Sequence, residues 1–199
     1  MNGWLYDAIT LWSERRIVGP IRTRLLSQLE GAIVEIGAGT GASFWYYGSS
    51  AHVRAIEPDA SMLARAEKRA MSARAKIDIV RGDDTLLDTL APESFDHAVA
   101  SLVLCSVENP LRTLERVRRV LKPHGSLVMI EHVRAENRRA RTQDRLTPLW
   151  RHIAGNCHLN RVLEPALSNA GFSEIDLQSR TVPIPMWRLL YGTARTAST

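Results

Sequence analysis

Cysteine is scarce in this chain: Cys105 and Cys157 are the two thiols among 199 residues. Two such residues make neither a disulfide framework nor a metal-ligand spacing, so no metal is expected and a reducing cytoplasmic compartment is the default. Long apolar runs are missing too. None approaches the roughly 18 residues that a membrane span requires. The opening stretch, MNGWLYDAITLWSERR, has no basic region leading into a long apolar one, so no secretory signal is expected. Internal repeats, low-complexity tracts and long linkers are absent as well. What remains is ordinary for a globular chain: 45% hydrophobic and 24% charged residues, in a length that suits one domain, 1–199, with a sizeable core.

The net charge is +5, and much of the excess sits in Arg15, Arg16, Arg22, Arg24 and the stretch VRAENRRARTQDR, 133–145. A basic surface can attract nucleic acid, anionic lipid or an acidic substrate. No aromatic-interleaved basic strand or nucleic-acid motif accompanies these arginines, so nucleic acid is not expected as a partner. A solvated arginine-rich face is the plainer reading, with weak contact to an anionic membrane surface as its functional counterpart.

Apolar runs alternate with helical patterns. AIVEIG, HVRAIEP, KIDIVRG, SFDHAVASLV and GSLVMIEHV read as five strands, and EIDLQSR and LLYGTAR as two more near the end. TGASFWYYGSS begins a short helix and SMLARAEKRAMSARA makes a better one. In PLRTLERVRRVLKPHG, Leu111, Leu114, Val117 and Leu121 line one face, with Pro123 expected to stop the helix and Gly125 to turn the chain. Residues 1–30 form a helical lead-in, and 137–170 a mostly helical insertion. Strand–helix alternation implies parallel strands with right-handed crossovers. The expected fold is α/β: a doubly wound, Rossmann-like sheet of seven mostly parallel strands with helices on both faces.

Ligands in such sheets bind beyond the carboxyl ends of the strands, so the residue following each strand matters most. After the first strand, VEIGAGTGA places Gly37, Gly39 and Gly41 within five positions. Missing side chains there free the backbone for a tight turn, or let its N–H groups meet a nucleotide. Gly-x-Gly-x-x-Ala fits a dinucleotide site and an adenosylated methyl donor alike. Glu57 closes the second strand, 20 residues after Gly37, where a carboxylate can accept both ribose hydroxyl hydrogens. GDD, 82–84, follows the third strand, and an acid there can accept from an adenine amino group. Adjacent aspartates also cap turns.

Taken together, VEIGAGTG, AIEPD, GDD, FDHAVAS and VLKPHGSLVMIE resemble the class I S-adenosylmethionine-dependent methyltransferases over roughly residues 30–135. SLVLCSVENP, MIEHV and QDRLTPLWRHIAGNCHLNR extend the likeness, to bacterial relatives of the small alkyl thiol methyltransferases. Animal members of that group carry an N-terminal membrane anchor, and none is expected here. His124 stands where the group often has glycine, a departure that concerns a turn. The resemblance implies S-adenosylmethionine as cofactor, with S-adenosylhomocysteine as product. It puts the methionine part of the donor near Gly37, Ala38, Gly39 and Thr40, with Glu35 steadying the turn or reaching the amino group through water. Glu57 takes the ribose, Pro58 and Met62 border the adenine, and Asp83 and Asp84 meet its edge. Ser101 and Leu102 approach the donor's amino group or sulfonium, and Tyr6 forms a lid contact.

A sulfonium methyl is electrophilic without metal or enzyme nucleophile, so the protein's task is to align the acceptor behind it. A thiolate acceptor cancels the donor's charge as the bond forms, which favours a dry pocket. Trp150, Leu146, Leu149 and Trp187 are candidates to line it. His132, next to the fifth strand's end, is the candidate catalytic residue for orienting or deprotonating the acceptor. His158 and Arg161 are candidates to supply a cation near it, and Cys157 reads as packing or pocket lining. The expected activity is methyl transfer to a small hydrophobic thiol. Methylation of an amine or ethanolamine phospholipid, methylation of a quinone precursor, and a donor-binding regulator without turnover remain open.

Overall fold

The computed structural model describes residues 14–182 and 188–196. Tyr6 and Trp187 lie outside the described residues. A π-type turn, Glu14–Val18, leads into helix α1, Gly19–Leu26. Seven strands follow: β1 (Gly31–Ile36), β2 (Ala51–Glu57), β3 (Lys76–Arg81), β4 (Phe95–Ser101), β5 (Leu121–His132), β6 (Phe172–Thr181) and β7 (Arg188–Thr196). Between them lie α2 (Ala60–Ala70), α3 (Pro110–Val120), α4 (Asn137–Ile153) and α5 (Glu164–Asn169).

The strands form one sheet in the order β3-β2-β1-β4-β5-β7-β6. β1 pairs in parallel with β2, Ile33 opposite Val53, and with β4, Val34 opposite Ala98. Only β7 runs against its neighbours, pairing antiparallel with β5 and β6. The chain winds outward from β1 to β3, then returns to place β4 on the other side of β1. That reversal leaves a crevice above the carboxyl ends of β1 and β4, where open α/β sheets bind ligands.

Apolar side chains cover both faces of the sheet. On one, Val34, Ile36, Leu127 and Met129 pack with Leu114 and Val117 of α3 and Leu167 of α5. On the other, Ile33, Val99 and Val128 meet Leu26, Phe44 and Ala66. Each fully buried aliphatic side chain here contributes about 1.5–3 kcal/mol relative to exposure. Helices α2 and α3 start where side chains replace missing backbone partners. Asp59 accepts from the Ser61 N–H at 2.7 Å ahead of α2, and Asn109 from the Arg112 N–H at 3.2 Å ahead of α3.

Two local expectations need correction. The helix expected over 40–50 is a single 3₁₀ turn, Phe44–Tyr46, because Phe44 and Tyr47 turn inward and bury completely. Helix α3 ends at Val120, before Pro123; Leu121 is already extended, as is the partner strand it joins. His124 has φ +60°, the left-handed conformation that glycine adopts freely. Its difference from glycine therefore does concern a turn.

Candidate active site

A cleft of about 1530 Å³ opens over the carboxyl ends of β1, β2, β4 and β5. Small-molecule sites usually occupy about 300–1,000 Å³, so this one has room for two ligands at once. Gly37, Ala38, Gly39, Thr40, Glu57, Pro58, Met62, Asp83 and Asp84 meet at one end of it, all on its lining.

The three glycines serve different ends, although all have positive φ. A Cβ on Gly37 would collide with Val103, and one on Gly41 would sit 2.7 Å from the Phe44 ring. Both are packing requirements. A Cβ on Gly39 would meet no atom within 4 Å. Gly39 faces open cleft, so its missing side chain leaves space for a ligand against the backbone. Its N–H is held by Glu57: Oε2 accepts from Gly39 at 2.7 Å, and Oε1 from the Asp59 N–H at 2.8 Å. Burial raises the Glu57 carboxyl above its usual range, and the two N–H bonds partly offset that. Each oxygen keeps a lone pair for a hydroxyl in the cleft.

Asp83 accepts from the Thr85 N–H at 2.9 Å, and its bonds to Thr85 hold its carboxyl below the usual range. It caps a 3₁₀ turn, Asp84–Thr89, while facing the cleft. Asp84 is more fully committed. One of its oxygens accepts from Thr113 Oγ1 at 2.7 Å and from Arg116 at 2.8 Å, which ties the turn to α3. Thr40 is likewise engaged: its carbonyl accepts from Arg69 at 2.9 Å.

Glu35 is buried beneath the cleft and accepts from the Tyr47 hydroxyl at 2.9 Å. Burial raises its carboxyl above the usual range, with Ser43, Tyr47 and Arg22 opposing. Its carboxyl thus engages Tyr47 and, just past the glycine turn, Ser43, while still reaching the cleft lining. Ser101 accepts from buried Arg22 at 3.0 Å, and Arg22 in turn pairs with Glu14 at 2.6 Å. Leu102, with φ +60°, bends the chain out of β4, and its N–H donates to Ile130 O at 2.8 Å. Non-glycine residues held left-handed cost about 1–3 kcal/mol and gather where surrounding structure over-determines them.

Glu131 supplies that over-determination, a residue that motif spacing does not single out. Its fully buried carboxylate accepts from three consecutive N–H groups: Val103 at 2.9 Å, Leu104 at 2.8 Å and Cys105 at 3.2 Å. An acid inside an otherwise apolar strand core was the available signal. Burial raises its carboxyl well above the usual range.

The other end of the cleft is reached by Cys105, His132, Trp150 and Cys157. His132 closes β5 and is half-buried, and its Nδ1 has no hydrogen-bond partner among the described residues. Four expectations fail here. Leu146 and Leu149 lie on the exposed outer face of α4, because Gln143 is the side chain that α4 turns inward. The Gln143 Oε1 accepts from Ala135 N–H at 2.7 Å. Arg161 gives its guanidinium to carbonyls, with Leu104 O at 2.7 Å, and to His158 Nδ1 at 2.8 Å, so it braces loops instead of facing an acceptor. Burial and the nearby Arg161 and Arg151 hold His158 down at about 4, so it carries no charge at neutral pH. Neither His158 nor Arg161 is on the cleft lining.

Comparison with known proteins fits this geometry. Residues 34–129 match the model of a methyltransferase domain. Human thiol S-methyltransferase TMT1B is 34% identical over 197 residues, spanning 91% of this chain and 79% of the relative. Human thiol S-methyltransferase TMT1A is 34% identical over 174 residues, 82% of this chain and 70% of the relative. The chain belongs to the thiol S-methyltransferase family. This methyltransferase is thus an S-adenosylmethionine-dependent enzyme. It also shares its fold with a solved S-adenosylmethionine-dependent methyltransferase of Thermotoga maritima, described as a possible histamine N-methyltransferase. That structure has TM-score 0.70 at 22% identity, over 99% of this chain and 97% of that one. No helix among the described residues is long and apolar enough to cross a membrane.

Proposed function

We propose that this methyltransferase transfers a methyl group to the sulfur of a small hydrophobic thiol. The observation that carries the reading is the continuity of the cleft. One and the same cleft is lined by the nucleoside-suited Gly39, Glu57 and Asp83 and by the apolar side chains of Val107, Trp150, Val182 and Leu189. An apolar acceptor entering there reaches the donor's position without leaving the protein's cover, and the likeness to two thiol S-methyltransferases supports a thiol over an amine.

When bound, the donor supplies a methyl group on a positively charged sulfur. Glu57 accepts from its ribose hydroxyls with the lone pairs that Gly39 and Asp59 leave over. Asp83 receives the adenine amino group, and Pro58 and Met62 flank the ring. Asp84 acts through its backbone, since its carboxylate is held by Thr113 and Arg116. The backbone from Gly37 to Thr40 borders the methionine portion, with Glu35 beneath. Ser101 and Leu102 set the floor between the two ligands. His132 stands on the acceptor side. Aligning a sulfur lone pair behind the methyl carbon supplies a large part of the acceleration. Excluding water adds to it, because a thiolate and a sulfonium lose their opposite charges together.

Product formation from a panel of alkyl thiols, amines and phenols tests the assignment. Thioethers should form fastest, and faster for apolar thiols than for charged ones. Methylated ethanolamine headgroups, with no thioether from any thiol, would replace this reading with the phospholipid one.

A further inference from the structure

Three soft or borderline ligating groups converge at the acceptor end of the cleft from three separate parts of the fold. Cys105 lies in the loop after β4, His132 ends β5, and Cys157 follows α4. Their ligand atoms all lie within 4.8 Å of one another, and the two sulfurs are 3.6 Å apart. Zinc takes sulfur at about 2.3 Å and nitrogen at about 2.0–2.1 Å in a tetrahedron. Those bond lengths give tetrahedral edges of about 3.8 Å between two sulfurs and about 3.6 Å between sulfur and nitrogen. The sulfur pair already stands at such an edge. It is far from the roughly 2.05 Å of a disulfide.

The surroundings hold these groups together. The Cys105 N–H is fixed by Glu131, and its carbonyl accepts from His158 N–H at 2.8 Å, one residue beyond Cys157. Asn156 donates to Ser106 O at 2.8 Å, joining the two cysteine segments a second time. His132 meanwhile presents a buried Nδ1 without a partner. We propose that Cys105, His132 and Cys157 bind one Zn²⁺, leaving its fourth position open to the cleft for the sulfur of the acceptor. Resting on the thiol reading above, this inference names the agent that ionises the thiol.

The chemistry suits the donor set. Two thiolates and a neutral imidazole select a borderline-soft ion over magnesium or calcium, and three protein ligands with one open position are the pattern of catalytic zinc. Zinc binds cysteine as the thiolate, so coordination here would release the protons of both sulfurs. An acceptor thiol that coordinates releases its proton to solvent. Its sulfur lone pair then bonds the methyl carbon as the bond from that carbon to the sulfonium breaks, with the electron pair passing to the departing sulfur. The products are a neutral thioether, S-adenosylhomocysteine and one proton. A thioether is a poorer zinc ligand than a thiolate, which frees the site.

Cobalt titration of the full chain provides the test, after chelator stripping under a non-thiol reductant. One Co²⁺ per chain should produce thiolate-to-cobalt charge-transfer absorption, and Zn²⁺ should abolish it with a Kd of about 1 µM or tighter. Cys105→Ser and Cys157→Ser should each weaken zinc by about 100-fold or more, since outer-shell losses alone cost about 10–100-fold. Affinity for S-adenosylhomocysteine should stay within about twofold, a range small against any tenfold step. No charge-transfer band in wild type, or an undiminished one in both variants, overturns the site. Should the variants fail to fold, zinc-edge X-ray absorption of the wild type decides: two sulfurs and one nitrogen support the site, and a shell of oxygen and nitrogen alone refutes it. Zinc should raise thiol turnover at neutral pH by at least about tenfold, with the gain shrinking above the free-thiol pKa of about 8.5. A protein that binds cobalt through sulfur but methylates no thiol would keep the metal and lose the acceptor reading. Thiol turnover in a protein that binds no metal would do the reverse.

Discussion

Replacing Glu57 by glutamine separates a donor-binding role from a merely structural one. In the wild type each carboxylate oxygen accepts one backbone N–H, from Gly39 at 2.7 Å and Asp59 at 2.8 Å. Glutamine offers one oxygen and one NH₂, so one of those N–H groups must face a donor. That loss should cost about 1–3 kcal/mol of stability, which for a chain of this size lowers Tm by about 2–4 °C per kcal/mol. Toward the cleft, the substitution removes the charge from the group that receives the ribose hydroxyls. A hydrogen bond to a charged group contributes about 1.5–3 kcal/mol, so Kd should rise by about 10- to 150-fold. Calorimetry with S-adenosylhomocysteine reads this directly, because the product lacks the transferable methyl and cannot turn over. Melting curves without ligand read the structural part separately. If Tm falls while Kd moves by less than about twofold, Glu57 only pins the glycine turn, and the reasoning about its spare lone pairs is wrong.

Burial raises the Glu35 carboxyl above 4.5, so its contribution to stability is present below that value and lost as pH rises through the raised folded value. Denaturation of Glu35→Gln should therefore show a smaller decline with rising pH than wild type; identical slopes would refute the buried charge. His124→Gly relieves a left-handed side chain worth about 1–2 kcal/mol, less the backbone entropy of glycine of about 0.5–1 kcal/mol. Tm should rise slightly with turnover unchanged, and a fall would show that the turn depends on the imidazole. Arg138, Arg139, Arg141 and Arg145 lie exposed on α4 near the equally exposed Leu149. Sedimentation with anionic vesicles should be weak at low salt and vanish near physiological salt; salt-insensitive binding would replace electrostatics with apolar insertion.

That Gly39, Glu57 and Asp83 line one cleft was legible because the information that places them is local. Each strand that leads to them is short, and the cleft-facing residue lies at or just past the strand's end. Glycine spacing and the position of Glu57 could thus be read without knowing which strands are neighbours. The same locality explains the errors. Leu146 and Leu149 match a helical stripe, yet periodicity cannot say which stripe faces inward. Buried Gln143 and its bond to the Ala135 N–H set the rotation of α4. Asp84 sits beside Asp83, but Arg116, 32 residues away, claims its carboxylate.

The acceptor half is distributed, and distribution hides it from any spacing rule. Cys105 and Cys157 are separated by 52 residues, which resembles no metal motif. Their meeting depends on Glu131, a residue that sequence pattern places inside an apolar strand and nothing more. A carboxylate buried there must find donors, and it finds three N–H groups of the loop that carries Cys105. That loop is bent at Leu102 into a conformation it would not adopt alone. The strand residue after Glu131 is His132, so one short stretch of β5 both anchors the first cysteine and presents the imidazole. The second cysteine is then brought in by the His158 N–H on the Cys105 carbonyl. Reading Glu131 as an anchor rather than a buried anomaly makes the placement of all three groups a single consequence of where β5 ends.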